Sequence, residues 1–231
     1  MQKLFIDFEP NGQITLNEEQ SRHIAKALRM KKGDMLTLTN GDGNDYGCQI
    51  NGISGGLVTL SVCYKQANNS EPSVKVTLYQ GVPKASKLED VIQKCTELGI
   101  AAICPTLTHR SVSRPDEKQA KKKGERYKKI ALEAAQQSGR GIVPEIMDMT
   151  ELKKAVENDE SELKILFYEG GGESLKSIIP QDIKSVSVYI GPEGGFEESE
   201  VELIKSAGGK IASLGPVSYT HLRAHETLSD L

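Results

Sequence analysis

The sequence predicts an α/β protein in two parts, a small, partly closed β-barrel followed by a mainly parallel sheet covered by helices. Three observations carry this. The first 64 residues read as short strands broken by turns; from Val74 onward strands and helices alternate; and between them lies KQANNSEPS, residues 65–73, polar and without a period. Strand-helix alternation implies crossovers and hence a parallel sheet, whereas strands joined by turns imply a barrel or meander. At 231 residues the chain can bury a core in each part.

In the first part, residues 2–8, 36–39, 47–53 and 57–64 are the predicted strands. Asn40, Gly41, Asp42, Gly43, Asn44 and Asp45 separate the second from the third with residues that tolerate positive φ. One helix is expected from Asn17 to about Met30, with Ile24, Ala27 and Leu28 on one face. In the second part, 74–79 is a strand. Ser86 then offers an N-cap with Glu89 three residues on, and Leu88, Val91, Ile92, Cys95 and Leu98 mark one helical face before Gly99 ends it. Residues 100–107 form a strand, 115–137 a helix weakened at Gly124, and 164–169, 186–190 and 210–214 further strands, with a helix from Glu197 to about Ala207.

Composition narrows the function classes. Apolar residues at 37% and charged residues at 26% are ordinary for a folded protein. The first twenty residues carry no apolar run of signal-peptide length, and no stretch approaches a membrane helix, so the expectation is a cytoplasmic protein without a membrane partner. Four scattered cysteines without a C-x-x-C pair suggest reduced packing residues, and no metal site is expected. Net charge is −3, but residues 110–129 hold nine Lys or Arg against three acids. That segment is +6 and the remainder −9. Lys121, Lys122 and Lys123 sit at its centre, and such a stripe is either a phosphate-contacting surface or a solvated helix face.

Two strand-to-helix turns could carry chemistry: Tyr168-Glu169-Gly170-Gly171-Gly172-Glu173 and Ile190-Gly191-Pro192-Glu193-Gly194-Gly195-Phe196. Glycines directly after a strand let a ligand approach the backbone at the carboxyl edge of a sheet. Neither turn is a P-loop or G-x-G-x-x-G, and each carries a glutamate that would repel phosphate, which favours a cationic ligand or a nucleoside. A third cluster, Gln137-Ser138-Gly139-Arg140, leaves one arginine at a helix end, where it serves either an oxyanion or the helix dipole.

The order of motifs is specific. Leu78-Tyr79-Gln80 with Pro83-Lys84, Gln93-Lys94-Cys95-Thr96-Glu97-Leu98-Gly99, Arg110-Ser111-Val112, Glu133-Ala134-Ala135 through Arg140, residues 191–196, and Ser213-Leu214-Gly215-Pro216 resemble the ribosomal RNA small subunit methyltransferase E family. Residues from His23 to Arg29, Gly33-Asp34 and Gly41-Asp42-Gly43 resemble its barrel. The resemblance covers 1–216 and implies a PUA-like RNA-binding β-barrel over 1–72 and a SPOUT methyltransferase domain over 73–216, ending in a trefoil knot that holds S-adenosylmethionine. It implies a homodimer that methylates N3 of a uridine in 16S ribosomal RNA, with small-subunit RNA or the ribosomal subunit as partner.

On that resemblance Glu169, Gly170, Ile190, Gly191, Pro192, Gly194, Gly195, Leu214 and Gly215 are the candidate cofactor residues. Arg140 is expected to steady developing negative charge, Glu193 to act as a base or bind cofactor, and Arg29, Arg110, Lys121, Lys122 and Lys123 to hold RNA. The rivals are a non-catalytic RNA-binding protein with a defective SPOUT domain, and a nucleotide hydrolase, which the missing phosphate-loop lysine and paired acids weaken. Residues 217–231 leave the family pattern and look like adaptor read-through joined to a truncated gene. An incomplete knot, weak cofactor binding and impaired activity are the expected consequences, and the i, i+4 pair His221 and His225 is read as coincidence.

Overall fold

The computed structural model describes residues 2–213. The chain divides into two compact units. One comprises Met1–Pro72 with Gln93–Gly99 and Lys129–Pro144; the other comprises Ser73–Ile92, Ile100–Lys128 and the chain from Glu145.

The first unit is built on a five-stranded sheet of β1 (Lys3–Phe5), β2 (Gln13–Thr15), β3 (Met35–Thr39), β4 (Asn44–Ser54) and β5 (Leu57–Ala67) in the order β1-β3-β4-β5-β2. Only the β1–β3 pair is parallel. Leu16, Ile24, Leu36, Leu38, Ile50 and Leu60 fill its core, which is apolar because alternate strand residues face inward. The helix expected over residues 17–30 is shorter. Asn17 does cap it, accepting the Gln20 N–H at 2.8 Å, but α1 (Glu18–Arg22) gives way to a π turn over His23–Ala27. Arg29 then adopts φ +54°, ending the helical run. A π turn inserts a residue into the i→i−4 ladder; of the expected face Ile24 is buried and Leu28 packs against the same core, while Ala27 is exposed. Strand β2 and the full length of β4 and β5 also exceed the sequence expectation.

The second unit carries a seven-stranded sheet, parallel throughout, in the order β12-β10-β11-β6-β7-β8 with β9 also on β7. Its strands are β6 (Lys75–Gly81), β7 (Ala102–Leu107), β8 (Glu145–Ile146), β9 (Thr150–Glu151), β10 (Leu163–Phe167), β11 (Ser185–Ile190) and β12 (Lys210–Ala212). The helices are α2 (Lys87–Glu97), α3 (Glu117–Ser138), α4 (Leu152–Glu157), α5 (Leu175–Ile178) and α6 (Glu198–Ser206), α2 and α3 each running from this unit into the first. The two-residue strands, α4 and α5 are too short to leave a periodic signal. Leu88 and Ile92 are buried as expected, but Leu98 is 82% exposed because α2 has ended before it.

Buried polar groups pin the central strands. Asp159 accepts hydrogen bonds from Ser187 and from the Tyr189 hydroxyl, the latter at 2.7 Å, and Tyr189 stacks on Tyr79 with ring centroids 4.7 Å apart. Burial opposes ionisation of Asp159, but bonds from Ser187, the Ser161 backbone and Tyr189 outweigh it and hold the carboxyl below its ordinary range. The four cysteines are free, and burial pushes the thiols of Cys48 and Cys104 up to about 11, as expected of packing residues. Among the described residues no helix is long and apolar enough to cross a membrane. The knot-closing segment, Leu214, Gly215 and residues 217–231 lie outside the described residues.

Candidate functional site

Strand order reverses around β6 and β11: the chain runs outward from β6 to β7 and returns on the other side through β10 and β11. In open α/β sheets the crevice at the carboxyl ends of such strands is where ligands bind. Here those ends are Gln80-Gly81 and Ile190-Gly191, with Ile190 paired to Gln80.

The residue 191–196 turn is held from several sides. A Cβ on Gly81 would lie 2.6 Å from the Pro192 nitrogen and 2.9 Å from the Gly191 carbonyl carbon, so only glycine lets the two strand ends approach this closely. The Gln80 side-chain amide donates to the Gly191 carbonyl at 3.2 Å. Glu193 accepts the Lys84 backbone N–H at 3.2 Å on each oxygen, and its Oε1 lies 3.3 Å from Lys87 Nζ. Partial burial opposes ionisation of Glu193, but its own and Lys84's backbone N–H groups and Lys87 hold the carboxyl below its usual range. Arg110 Nη1 donates to the Gly194 carbonyl at 2.7 Å. Beyond the turn, Phe196 is buried with Tyr189, Val201 and Ile204, which fixes its far end in the core.

The start of α6 is anchored as well. Buried Glu200 accepts the backbone N–H of His109 and of Glu197, each at 2.9 Å, while His109 Nδ1 sits 2.7 Å from Glu197 Oε2. The bond to Glu197 raises the His109 pKa.

The second predicted turn converges on the first. Gly195 has φ +68°, and Glu169 Oε1 stands 3.7 Å from the place where a Cβ on it would lie. Glu169 and Gly170 are exposed, and among the described residues Glu169 has no hydrogen bond or ion pair. An exposed carboxylate beside a left-handed glycine suits a ligand that carries positive charge or hydroxyl donors. Thus Glu169, Gly170, Ile190, Gly191, Pro192, Glu193, Gly194, Gly195 and Arg110 are neighbours, and Gln80, Lys84 and Lys87 join them without having been singled out. Their signal was weak because a backbone N–H or an amide clasp leaves no composition trace.

Arg140, expected to steady developing negative charge, belongs to the first unit. At 3% exposure its Nη2 lies 2.5 Å from Glu71 Oε2, Nε donates to Glu71 Oε1 at 3.3 Å and Nη1 to the Thr96 carbonyl at 3.2 Å. Glu71 also accepts the N–H groups of Gly141 and Ile142. Nearby, Lys3 pairs with Asp45 at 2.7 Å and donates to the Gly139 and Arg140 carbonyls. Through Glu71 these bonds tie Arg140 to residues 141 and 142 of its own unit.

The RNA candidates divide by unit. In the second, Lys121 and Lys122 are exposed and Lys123 is half-buried with Nζ 3.4 Å from Ser113 Oγ. In the first, Arg29 is exposed within a stretch the charge census passed over. Arg22, Lys26, Arg29, Lys31 and Lys32 are all exposed, with no acid among residues 22–32.

Comparison with known proteins agrees with this architecture. Residues 69–224 match the model of the RNA methyltransferase domain, and residues 16–63 that of the RNA methyltransferase PUA domain. The first match continues past Pro216 into the segment where the motif order ends. The chain is 35% identical to the Ribosomal RNA small subunit methyltransferase E of Bacillus subtilis (strain 168), over 94% of this chain and 90% of that one. A Legionella pneumophila methyltransferase solved with its bound cofactor SAM is 30% identical, with TM-score 0.85 over 93% of this chain and 89% of that one. The fold is shared also with a Ribosomal RNA small subunit methyltransferase E of Neisseria gonorrhoeae bound to S-adenosyl methionine, at 23% identity and TM-score 0.86, covering 93% and 89% of the two chains. The fold and site therefore define an RNA methyltransferase with a PUA-like domain and a parallel-sheet SPOUT domain. The chain belongs to the ribosomal RNA small subunit methyltransferase E family.

Proposed function

We propose that the protein transfers the methyl group of S-adenosylmethionine to N3 of a uridine in 16S ribosomal RNA, acting on the RNA or the small ribosomal subunit as a cytoplasmic homodimer. The observation that carries the cofactor is the exposed Glu169 carboxylate against Gly195, where two glycine turns from adjacent strands leave backbone exposed. These residues fit the group: an exposed carboxylate complements a sulfonium, and backbone amides and carbonyls suit an adenosine moiety.

Bound S-adenosylmethionine supplies an electrophilic methyl carbon. The bound cofactor would supply this methyl to uracil N3, whose proton would pass to solvent, so the protein's task is chiefly alignment. The base must be unpaired, because N3 lies on the Watson–Crick edge. Glu193 is assigned to organising the turn and not to proton abstraction. A carboxylate held below its usual range is a weak base, and its oxygens already face Lys84 and Lys87. Arg110 holds Gly194 in place and, being exposed, presents its remaining donors to RNA phosphate.

Transfer of labelled methyl from S-adenosylmethionine to small-subunit RNA, followed by nucleoside digestion, tests the reading. Label in 3-methyluridine is expected, and label in another nucleoside overturns the position. Failure to bind S-adenosylmethionine in calorimetry, with RNA binding retained, would instead favour the non-catalytic RNA-binding protein. Light scattering tests the homodimer.

A further inference from the structure

Apart from the methyl-transfer site, the second unit holds a cavity of about 410 Å³ between the first half of α3 and the edge of the sheet. Gly124, Lys121 and Lys128 line it from the helix, and Met147, Asp148 and Met149 from the connection between β8 and β9. We propose that this cavity receives one unpaired nucleotide of the RNA substrate, other than the methylated uridine, whose base carries an exocyclic amine. The inference rests on the RNA methyltransferase reading and adds a second point of recognition to it.

Gly124 is the starting point. Glycine in the middle of a 22-residue helix weakens it, since the unfolded chain loses more freedom there than at alanine. Nothing in the fold requires that cost. Its φ is not in the left-handed region, and a Cβ built on it would meet nothing within 4 Å. The space it keeps open is the cavity itself.

The lining then selects the ligand. Met147 and Met149 are half-buried, and thioethers adapt to a flat aromatic face. Lys121 lies three residues before Gly124 and Lys128 four after it, on one helix face. Lys128 lies 3.4 Å from Glu125, whereas Lys121 has no ion pair among the described residues. Glu117, Glu125 and Asp148 also line the cavity. Three carboxylates against two lysines exclude a free anion from the interior. They do offer acceptors to the N–H groups of adenine, cytosine or guanine, while Lys121 and the surrounding basic residues, +6 over 110–129, meet the backbone phosphates outside. RNA is commonly read in this way, by bases splayed from single-stranded segments into side-chain pockets.

The test is an abasic scan. A small-subunit RNA fragment containing the methylated uridine is made with one base removed at a time, and its affinity for the protein is read by fluorescence anisotropy, with methyl transfer to the intact fragment measured in parallel. One position other than the target, bearing an amino base, should lose about tenfold in affinity when the base is removed. Gly124→Leu, which fills the void, should show that loss with the intact RNA and no further loss with the abasic one. Gly124→Ala should melt above the wild type, since the fold does not need the glycine. A Gly124→Leu protein that binds every fragment as the wild type does overturns the proposal. So does a Gly124→Ala protein that melts lower. Absence of RNA binding and methyl transfer altogether would instead overturn the parent reading.

Discussion

Glu71 and Glu193 are both carboxylates held below their ordinary range, yet they do opposite work. Glu71 faces a guanidinium that is almost wholly buried and the backbone N–H groups of Gly141 and Ile142. Glu193 faces a backbone N–H and a lysine that is 57% exposed, at the lip of a glycine turn. The first arrangement ties residues 141 and 142 to a buried guanidinium; the second leaves a half-open carboxylate at the candidate site. A depressed pKa alone does not distinguish them. The difference lies in what else the partners could reach.

The largest effect should come from breaking the closed pair. Arg140→Ala leaves Glu71 partly buried without its cation, and removing one member of a buried pair costs about 3–5 kcal/mol. Denaturant unfolding reads this directly, and Arg140→Ala with unchanged stability but slower methyl transfer would return the arginine to catalysis. The acid side gives an independent check. Because Glu71 is depressed in the folded state, its contribution is complete above its ordinary value of 4.5 and is lost as pH falls through the lower folded value. A Glu71→Gln protein should therefore be less stable near neutrality and lose less stability on acidification. Wild-type and variant curves that stay parallel down to the acid transition would remove the pair from that role.

The open carboxylate should move cofactor affinity and leave the fold alone. Glu193→Gln keeps an acceptor for Lys84 but gives up the charge that faces Lys87, and charge-assisted bonds exceed neutral ones by about 1 kcal/mol. We expect cofactor binding to weaken about fivefold to tenfold, with melting unchanged within a degree or two. The log of the rate should not gain a new slope with pH if Glu193 only organises the turn. Loss of an acid-limb pKa from the pH–rate profile of Glu193→Gln would make it the base.

How much of this was legible follows the range of the interactions. The alternation of strand and helix after Val74 and both glycine turns were readable, because turns, caps and periodicity are written within a few neighbouring residues. The pairing of Arg140 with Glu71 was not, since the two lie 69 residues apart and no local pattern announces it. The clasp of Lys84 on Glu193 spans 109 residues and uses a backbone N–H, which any residue type supplies. The π turn at His23–Ala27 was hidden for another reason: its residues keep helical composition while the hydrogen-bond ladder changes.

The basic stripe offers a weaker contrast within one helix. Lys121 and Lys122 are exposed, while Lys123 is half-buried near Ser113. If the stripe contacts phosphate, replacing all three by Ala should reduce the salt slope of RNA binding by about 1.4 and not 2.1, since each single-strand phosphate contact contributes about 0.7 and Lys123 is already engaged. Anisotropy titrations across salt concentrations measure it. An unchanged slope assigns the stripe to a solvated helix face.

The smallest expected effect concerns the backbone that delivers Lys84 to Glu193. Ala85 has φ +54°, a left-handed conformation in which its Cβ crowds the following carbonyl, and it lies directly after the residue whose N–H meets the carboxylate. Neither neighbour is glycine, so the strain is stored at this one residue. In Ala85→Gly the strain is relieved but the unfolded chain gains freedom, and the two effects oppose each other. Relief of about 1–2 kcal/mol against an entropic loss of about 0.5–1 leaves a net gain of roughly 0.5 kcal/mol in folding stability. The same freedom loosens the Lys84 N–H, so cofactor affinity should fall slightly while stability rises. Unfolding and calorimetry on one preparation decide the matter: a variant both less stable and tighter in binding would show that the left-handed turn at Ala85 is not strained and does not aim the Lys84 amide.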